Sequence, residues 1–137
     1  MTVKVIIVGA GKAGYLHFNS YLKLHSQGAF NIENVSFVDP AGGPGPDLAP
    51  LLSKCGRPVS FHTSMDGAAG AHDVGSTIVD LCLPSRLLAE SLVAWHALGF
   101  KRFIVEKPFV ASPARQDVFD IFDSSQVVMV QNYRHSR

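Results

Sequence analysis

Apolar residues in this chain fall into short dense runs separated by longer segments of helical periodicity. Residues 3–8 (VKVIIV) are rich in β-branched side chains, as in a strand buried on both faces. Residues 13–26 place Tyr15, Phe18, Tyr21, Leu22 and Leu24 at roughly helical spacing. Five further strands are predicted at residues 35–38, 58–62, 76–83, 102–105 and 127–131. Helices are predicted at residues 47–54, 85–98 and 112–122, with a short one between the third and fourth strands. Residues 27–34 read as a loop, and so do residues 41–46 (AGGPGP), whose glycines and prolines forbid helix. Gly56 and Gly99 end helices as C-terminal cap glycines do, and Pro84 stops the fourth strand.

Strict alternation of strand and helix with short links predicts a parallel sheet covered by helices on both faces. Six strands make a complete doubly wound sheet, the Rossmann arrangement, in a single α/β domain over residues 1–137.

Composition narrows the partners. The chain is 47% hydrophobic and 17% charged, which suits a buried core and argues against disorder. Twelve basic residues oppose eleven acidic ones, so there is no sign of a nucleic-acid footprint or a polybasic membrane patch. No early apolar run is long enough for a signal segment or a membrane span, and a cytoplasmic protein is expected. Cys55 and Cys82 stand alone in apolar settings and are expected to be buried and reduced.

Candidate chemistry outside the strand ends is sparse. The six histidines show no metal-ligand spacing, so no metal site is predicted. No GxSxG occurs, which leaves hydrolase chemistry without support. Ser64 and Ser112 read as helix caps, and Trp95 with Phe100, Phe103, Phe109, Phe119 and Phe122 as core. Asp80 lies inside an apolar strand, so it must be paired or near a strand end, and a hydrogen-bonded role is preferred to catalysis. His17 has either a role beside the first helix or a packing or cap role.

The most informative short motif is Gly9-Ala10-Gly11-Lys12-Ala13-Gly14, a GxGxxG directly after a strand and opening a helix. The first glycine suits a tight turn, the second a close approach to a pyrophosphate, and the third helix-on-strand packing. The unpaired N–H groups of the helix start, Lys12 and Ala13 among them, face the phosphates. Asp39 ends the second strand, where a carboxylate binds the adenosine ribose of a dinucleotide. The other reading of Asp39 is a turn cap before the glycine-proline loop. A carboxylate repels a 2′-phosphate and no Arg or Lys adjoins it, so NAD is favoured over NADP.

A second strand end carries charge. In residues 103–113 (FIVEKPFVASP) an apolar strand runs into Glu106-Lys107-Pro108. Ligands of doubly wound sheets lie off such C-terminal ends. In order, VGAGKAGYLH, VDP, LP-S, VEKPFVASP and VQNYR resemble the N-terminal domain of the glucose–fructose oxidoreductase and inositol dehydrogenase family, over nearly the whole chain. Glu-Lys-Pro is the most specific part, and His17 also matches the family pattern. The resemblance implies that Gly9, Gly11 and Gly14 hold the pyrophosphate and Asp39 the ribose. It implies that Leu83, Pro84 and Ser85 line the nicotinamide side and that Glu106 contacts the nicotinamide ribose. Lys107 would reach between nicotinamide and substrate as the candidate catalytic residue. Asn132 and Arg134 fall where the family's last strand leaves the domain.

Departures from the family are also legible. Leu83 stands where the family usually has threonine, and Leu88 where it usually has histidine. The link at residues 99–102 is about one residue longer. The family's substrate pocket lies in a second domain that would begin where this chain stops, at Arg137. Two functions from different classes follow: the cofactor half of a sugar or polyol oxidoreductase completed by a second domain or partner subunit, or a non-catalytic module that binds NAD(H) or a partner. Nucleotide domains of potassium channels share the glycines and the downstream acid but lack Glu-Lys-Pro.

Overall fold

A computed structural model describes residues 2–29, 31–43, 46, 48–56, 58–107 and 116–131; for Lys12, Lys54, Lys107, Val130 and Gln131 the description covers the backbone only. In chain order the elements are β1 (Thr2–Val8), α1 (Lys12–Ser26), β2 (Asn31–Val38), α2 (Ala49–Cys55), β3 (Val59–His62), α3 (Met65–Ala69), β4 (Thr77–Leu81), α4 (Ser85–Ala97), β5 (Arg102–Lys107), α5 (Gln116–Ser124) and β6 (Gln126–Gln131). The strands form one sheet in the order β3-β2-β1-β4-β5-β6, parallel throughout. The predicted α/β doubly wound fold is therefore observed.

Successive side chains of a strand point to opposite faces, and the two faces carry separate cores. On one face Val5, Ile7, Val35 and Phe37 pack under α1 and α2, with Phe18 meeting Phe37 edge-on at 5.3 Å. On the other, Ile6, Val79, Leu81, Phe103 and Val105 pack under α3, α4 and α5, with Trp95 against Phe100. The chain winds outward from β1 through β2 to β3, then returns to β4 and winds the other way. The reversal lies between β1 and β4, and in doubly wound sheets it is at the carboxyl ends beside such a reversal that ligands bind.

Several expectations change in detail. Residues 31–34, read as loop, begin β2. Asn31 and Glu33 are exposed while Ile32 is buried, so this half of the strand alternates and lacks the dense apolar signal. β4 covers Thr77–Leu81, which leaves Cys82 and Leu83 beyond the ladder. Phe119 is 44% exposed and is not core, whereas Trp95, Phe100 and Phe103 are fully buried and Phe122 packs at the core margin. Gly56 is the left-handed C-cap of α2, and Ser64 caps α3 by accepting from the Gly67 N–H. Both cysteines are buried and free. The readings of Asp47, Phe109, Ser112, Asn132 and Arg134 lie outside the described residues.

Candidate functional site

Two of the loop's three glycines answer to close packing, and the third does not. Gly9 turns the chain at φ +101, and a Cβ there would stand 2.5 Å from the Cys82 carbonyl oxygen. Its position is fixed from both sides, by its own N–H donating to the Val38 carbonyl and by the Cys82 N–H donating to the Val8 carbonyl. A Cβ at Gly14 would collide with the Gly9 carbonyl oxygen, so α1 can approach the loop only without a side chain there. Gly11 differs, since a Cβ there would meet nothing within 4 Å. Nothing in the described chain demands glycine at that position. Gly11 is also the N-cap of α1, with no side-chain cap and no acid in the first turn. No side-chain cap or first-turn carboxylate of α1 therefore competes for the N–H groups and positive dipole end of the helix start.

Asp39 stands beside this loop at the end of β2. Its Oδ2 accepts from the Ala10 N–H at 2.9 Å and its Oδ1 from the Ala41 N–H at 2.9 Å. The turn-cap reading of Asp39 is thus what the structure shows, and the same carboxylate also ties the glycine loop to β2. A carboxylate oxygen accepts more than one hydrogen bond, so both contacts leave acceptor capacity for a ribose hydroxyl.

At the end of β4, Leu83 comes within 3.6 Å of the position a Gly9 Cβ would take. Pro84 is the N-cap of α4 and Ser85 its first residue. Leu88 is buried in the core under α4, so no polar group replaces the expected histidine there. Glu106 and Lys107 end β5. The glycine loop, Asp39, Leu83–Ser85 and Glu106–Lys107 therefore sit on four adjacent strands at one edge of the sheet.

The constellation that sequence reasoning missed lies just beneath this edge. His17, on α1, bridges two strands: its Nδ1 is 2.7 Å from Asp80 Oδ2 and its Nε2 3.0 Å from Glu106 Oε1. Asp80 is 1% exposed and also accepts from the Tyr21 hydroxyl at 2.8 Å and the Cys82 thiol at 3.4 Å. Burial alone would lower the His17 pKa. The hydrogen bond and charge of Asp80, then those of Glu106, outweigh it and hold the imidazole above its ordinary value. Burial and Asp80 push the Tyr21 hydroxyl well up, so it stays a neutral donor.

His17, Asp80 and Cys82 have ligand atoms within 4.8 Å of one another. Around a tetrahedral zinc, nitrogen and oxygen ligands sit about 3.3 Å apart, from metal–ligand distances near 2 Å. The shorter His17–Asp80 contact is that of a charge-assisted hydrogen bond. A concavity of about 610 Å³ lined by Val74, Gly99, Lys101, Arg102 and Asp123 lies at the amino ends of β4 to β6, away from the glycine loop. In open parallel sheets ligands bind at the carboxyl ends, so we place the site at the loop.

Comparison with solved structures places this geometry among known folds. The WlbA dehydrogenase from Chromobacterium violaceum, solved with NADH and UDP-GlcNAcA, superposes with a TM-score of 0.67 at 23% identity over 97% of this chain. Its counterpart from Bordetella pertussis, solved with the same two molecules, gives 0.66 at 16% identity over the whole chain. This chain has their fold. It spans 36% and 39% of those two proteins, and 55% of a Rex-family repressor, RSP, that superposes at 0.58 with 21% identity over 98% of this chain. No family model and no curated protein sequence matches the chain. No helix among the described residues is long and apolar enough to cross a membrane.

Proposed function

We propose that the chain is the NAD-binding domain of an oxidoreductase of the sugar or polyol dehydrogenase type. The observation that carries this reading is Gly11, a glycine whose missing side chain no neighbouring atom demands, at the start of a helix without a side-chain cap on the carboxyl edge of the sheet. Gly9, Gly11, Lys12, Ala13 and Gly14 would hold the pyrophosphate through backbone N–H groups. Asp39 would take the adenosine ribose and repel a 2′-phosphate. Leu83, Pro84 and Ser85 would line the nicotinamide side, and Glu106 would meet the adjoining ribose. When bound, the nicotinamide supplies hydride chemistry to a hydroxyl or carbonyl substrate. Lys107 would stand by the substrate oxygen, where an ammonium stabilises a developing alkoxide. Enclosing that substrate needs a second domain or a partner subunit, because one sheet edge cannot exclude water.

A second reading, a module that binds NAD(H) without catalysis, draws support from Leu83 and Leu88, which bring no polar group to the nicotinamide side. The fold is also that of a repressor. Nicotinamide fluorescence tests the reading common to both: NADH binds, and NADPH binds at least about tenfold more weakly, which is about 1.4 kcal/mol of charge repulsion. Equal affinity for the two overturns the role of Asp39, and binding of neither overturns the assignment. In a form completed by its second domain, turnover that Lys107→Ala abolishes supports the oxidoreductase over the module.

A further inference from the structure

The His17 imidazole touches a carboxylate through each ring nitrogen, and the two carboxylates come from different strands. An ionised carboxylate has no proton to give, and a neutral imidazole has one N–H. With both carboxylates ionised, both contacts are hydrogen bonds only when both nitrogens carry protons, so the geometry suits an imidazolium between them.

The two ends of this bridge are unlike. Asp80 is fully buried and further held by Tyr21 and Cys82. Glu106 stands one residue from the end of β5, its side chain 17% exposed, on the edge that carries the glycine loop. One end is anchored in the core and the other lies partly exposed at the carboxyl edge. A hollow of about 230 Å³ lined by His17, Ser20, Tyr21, Leu24, Asp80 and Ile104 runs beside α1, so the bridge is not sealed from solvent.

We propose that His17 is a positioning residue for Glu106. It transmits the fixed place of Asp80 across β4 and β5, ties down Oε1 of Glu106, and presents the other carboxylate oxygen to the ribose next to nicotinamide. The proposal rests on reading the chain as an NAD-binding domain. Without His17, Glu106 adopts many orientations, and the ordering cost is met when the dinucleotide binds. The titratable groups that face His17 are Asp80 from β4, Cys82 just past its end, Glu106 from β5 and Tyr21 from α1. When His17 loses its second proton, one carboxylate loses its donor. Asp80 is fully buried and its contact is the shorter, whereas Glu106 is partly exposed and can turn to water, so the remaining N–H stays on Asp80 and the carboxylate released is Glu106.

The test is a double-variant cycle read by NADH titration from neutral to alkaline pH, on the unaltered chain, His17→Gln, Glu106→Gln and the pair. Each single variant is expected to weaken NADH by about tenfold, the scale of one hydrogen bond to a charged group. The pair is expected to be no weaker than either single variant within about twofold. Affinity of the unaltered chain falls on the alkaline side, and that fall is missing in Glu106→Gln. Losses that multiply in the pair overturn the proposal, and so does His17→Gln binding like the unaltered chain. Should His17→Gln fail to fold, the pH profiles decide alone, and the same alkaline fall in the unaltered chain and in Glu106→Gln overturns it. Gly11→Val runs in parallel. If the unaltered chain binds NADH and Gly11→Val does not, a negative result for His17 removes only the positioning role. If the unaltered chain does not bind NADH, the cofactor reading falls and this proposal with it.

Discussion

His17 shows how one side chain can serve fold and site together. Its folded pKa is raised, so protonation is more favourable in the folded state than in the unfolded one. The stabilisation is fully present below the ordinary histidine value and is lost as pH rises through the raised one. His72 has the opposite sign, because burial, then Lys4 and His62, lower its pKa. Its contribution is present above the ordinary value and is lost as pH falls. Chemical denaturation across this range should therefore show stability declining on the alkaline side, and His17→Gln should remove that decline while keeping the acid one. An alkaline decline unchanged in His17→Gln would place its origin elsewhere. None of this was legible from residue spacing. His17 lies 63 positions from Asp80 and 89 from Glu106, and only the parallel packing of β4 beside β5 brings them together. Asp80 did give a signal, since a carboxylate in an apolar strand must have partners, but the sequence did not say which.

At the scale of elements, the strand–glycine–helix unit was readable because its demands are local. Tight turn, spacing and helix start follow within six residues, and the structure supplies the collisions that make Gly9 and Gly14 necessary. Gly14→Ala drives a methyl into the Gly9 carbonyl, and neither backbone can yield without moving α1 or β1. A loss of more than about 3 kcal/mol is expected in urea unfolding, beyond the usual range for a point change. A loss within about 0.5 kcal/mol, as at an ordinary exposed site, would contradict that packing. Elements with less local signal were read less well. The first half of β2 hides in polar alternation, and a register shift between Val3 and Lys4 lets it slip by one residue against β1. Phe119 looked like core by spacing, yet α5 turns Val118 and Ile121 inward and leaves Phe119 outside.

Over the whole molecule, the sheet is covered unevenly. Trp95 lies between α4 and the sheet and meets Phe100, so Trp95→Ala should cost about 3–5 kcal/mol, measurable as a lower urea midpoint. Val128 pairs with Ile104 on the face turned away from α4 and α5, and it is 57% exposed. The carboxyl edge, by contrast, gathers every candidate group: the glycine loop, Asp39, Leu83–Ser85, Glu106 and the end of β5. The central claim is that the open space at Gly11 is kept for a dinucleotide. Gly11 has φ −80 and ψ −153, an extended backbone at negative φ that is not reserved for glycine, and a Cβ there meets nothing within 4 Å. The most direct test is therefore calorimetric titration of Gly11→Val with NADH, beside its unfolding curve. The account predicts stability within about 1 kcal/mol of the unaltered chain, the scale of an N-cap change, together with loss of NADH binding. Undiminished NADH binding by a folded Gly11→Val would contradict it.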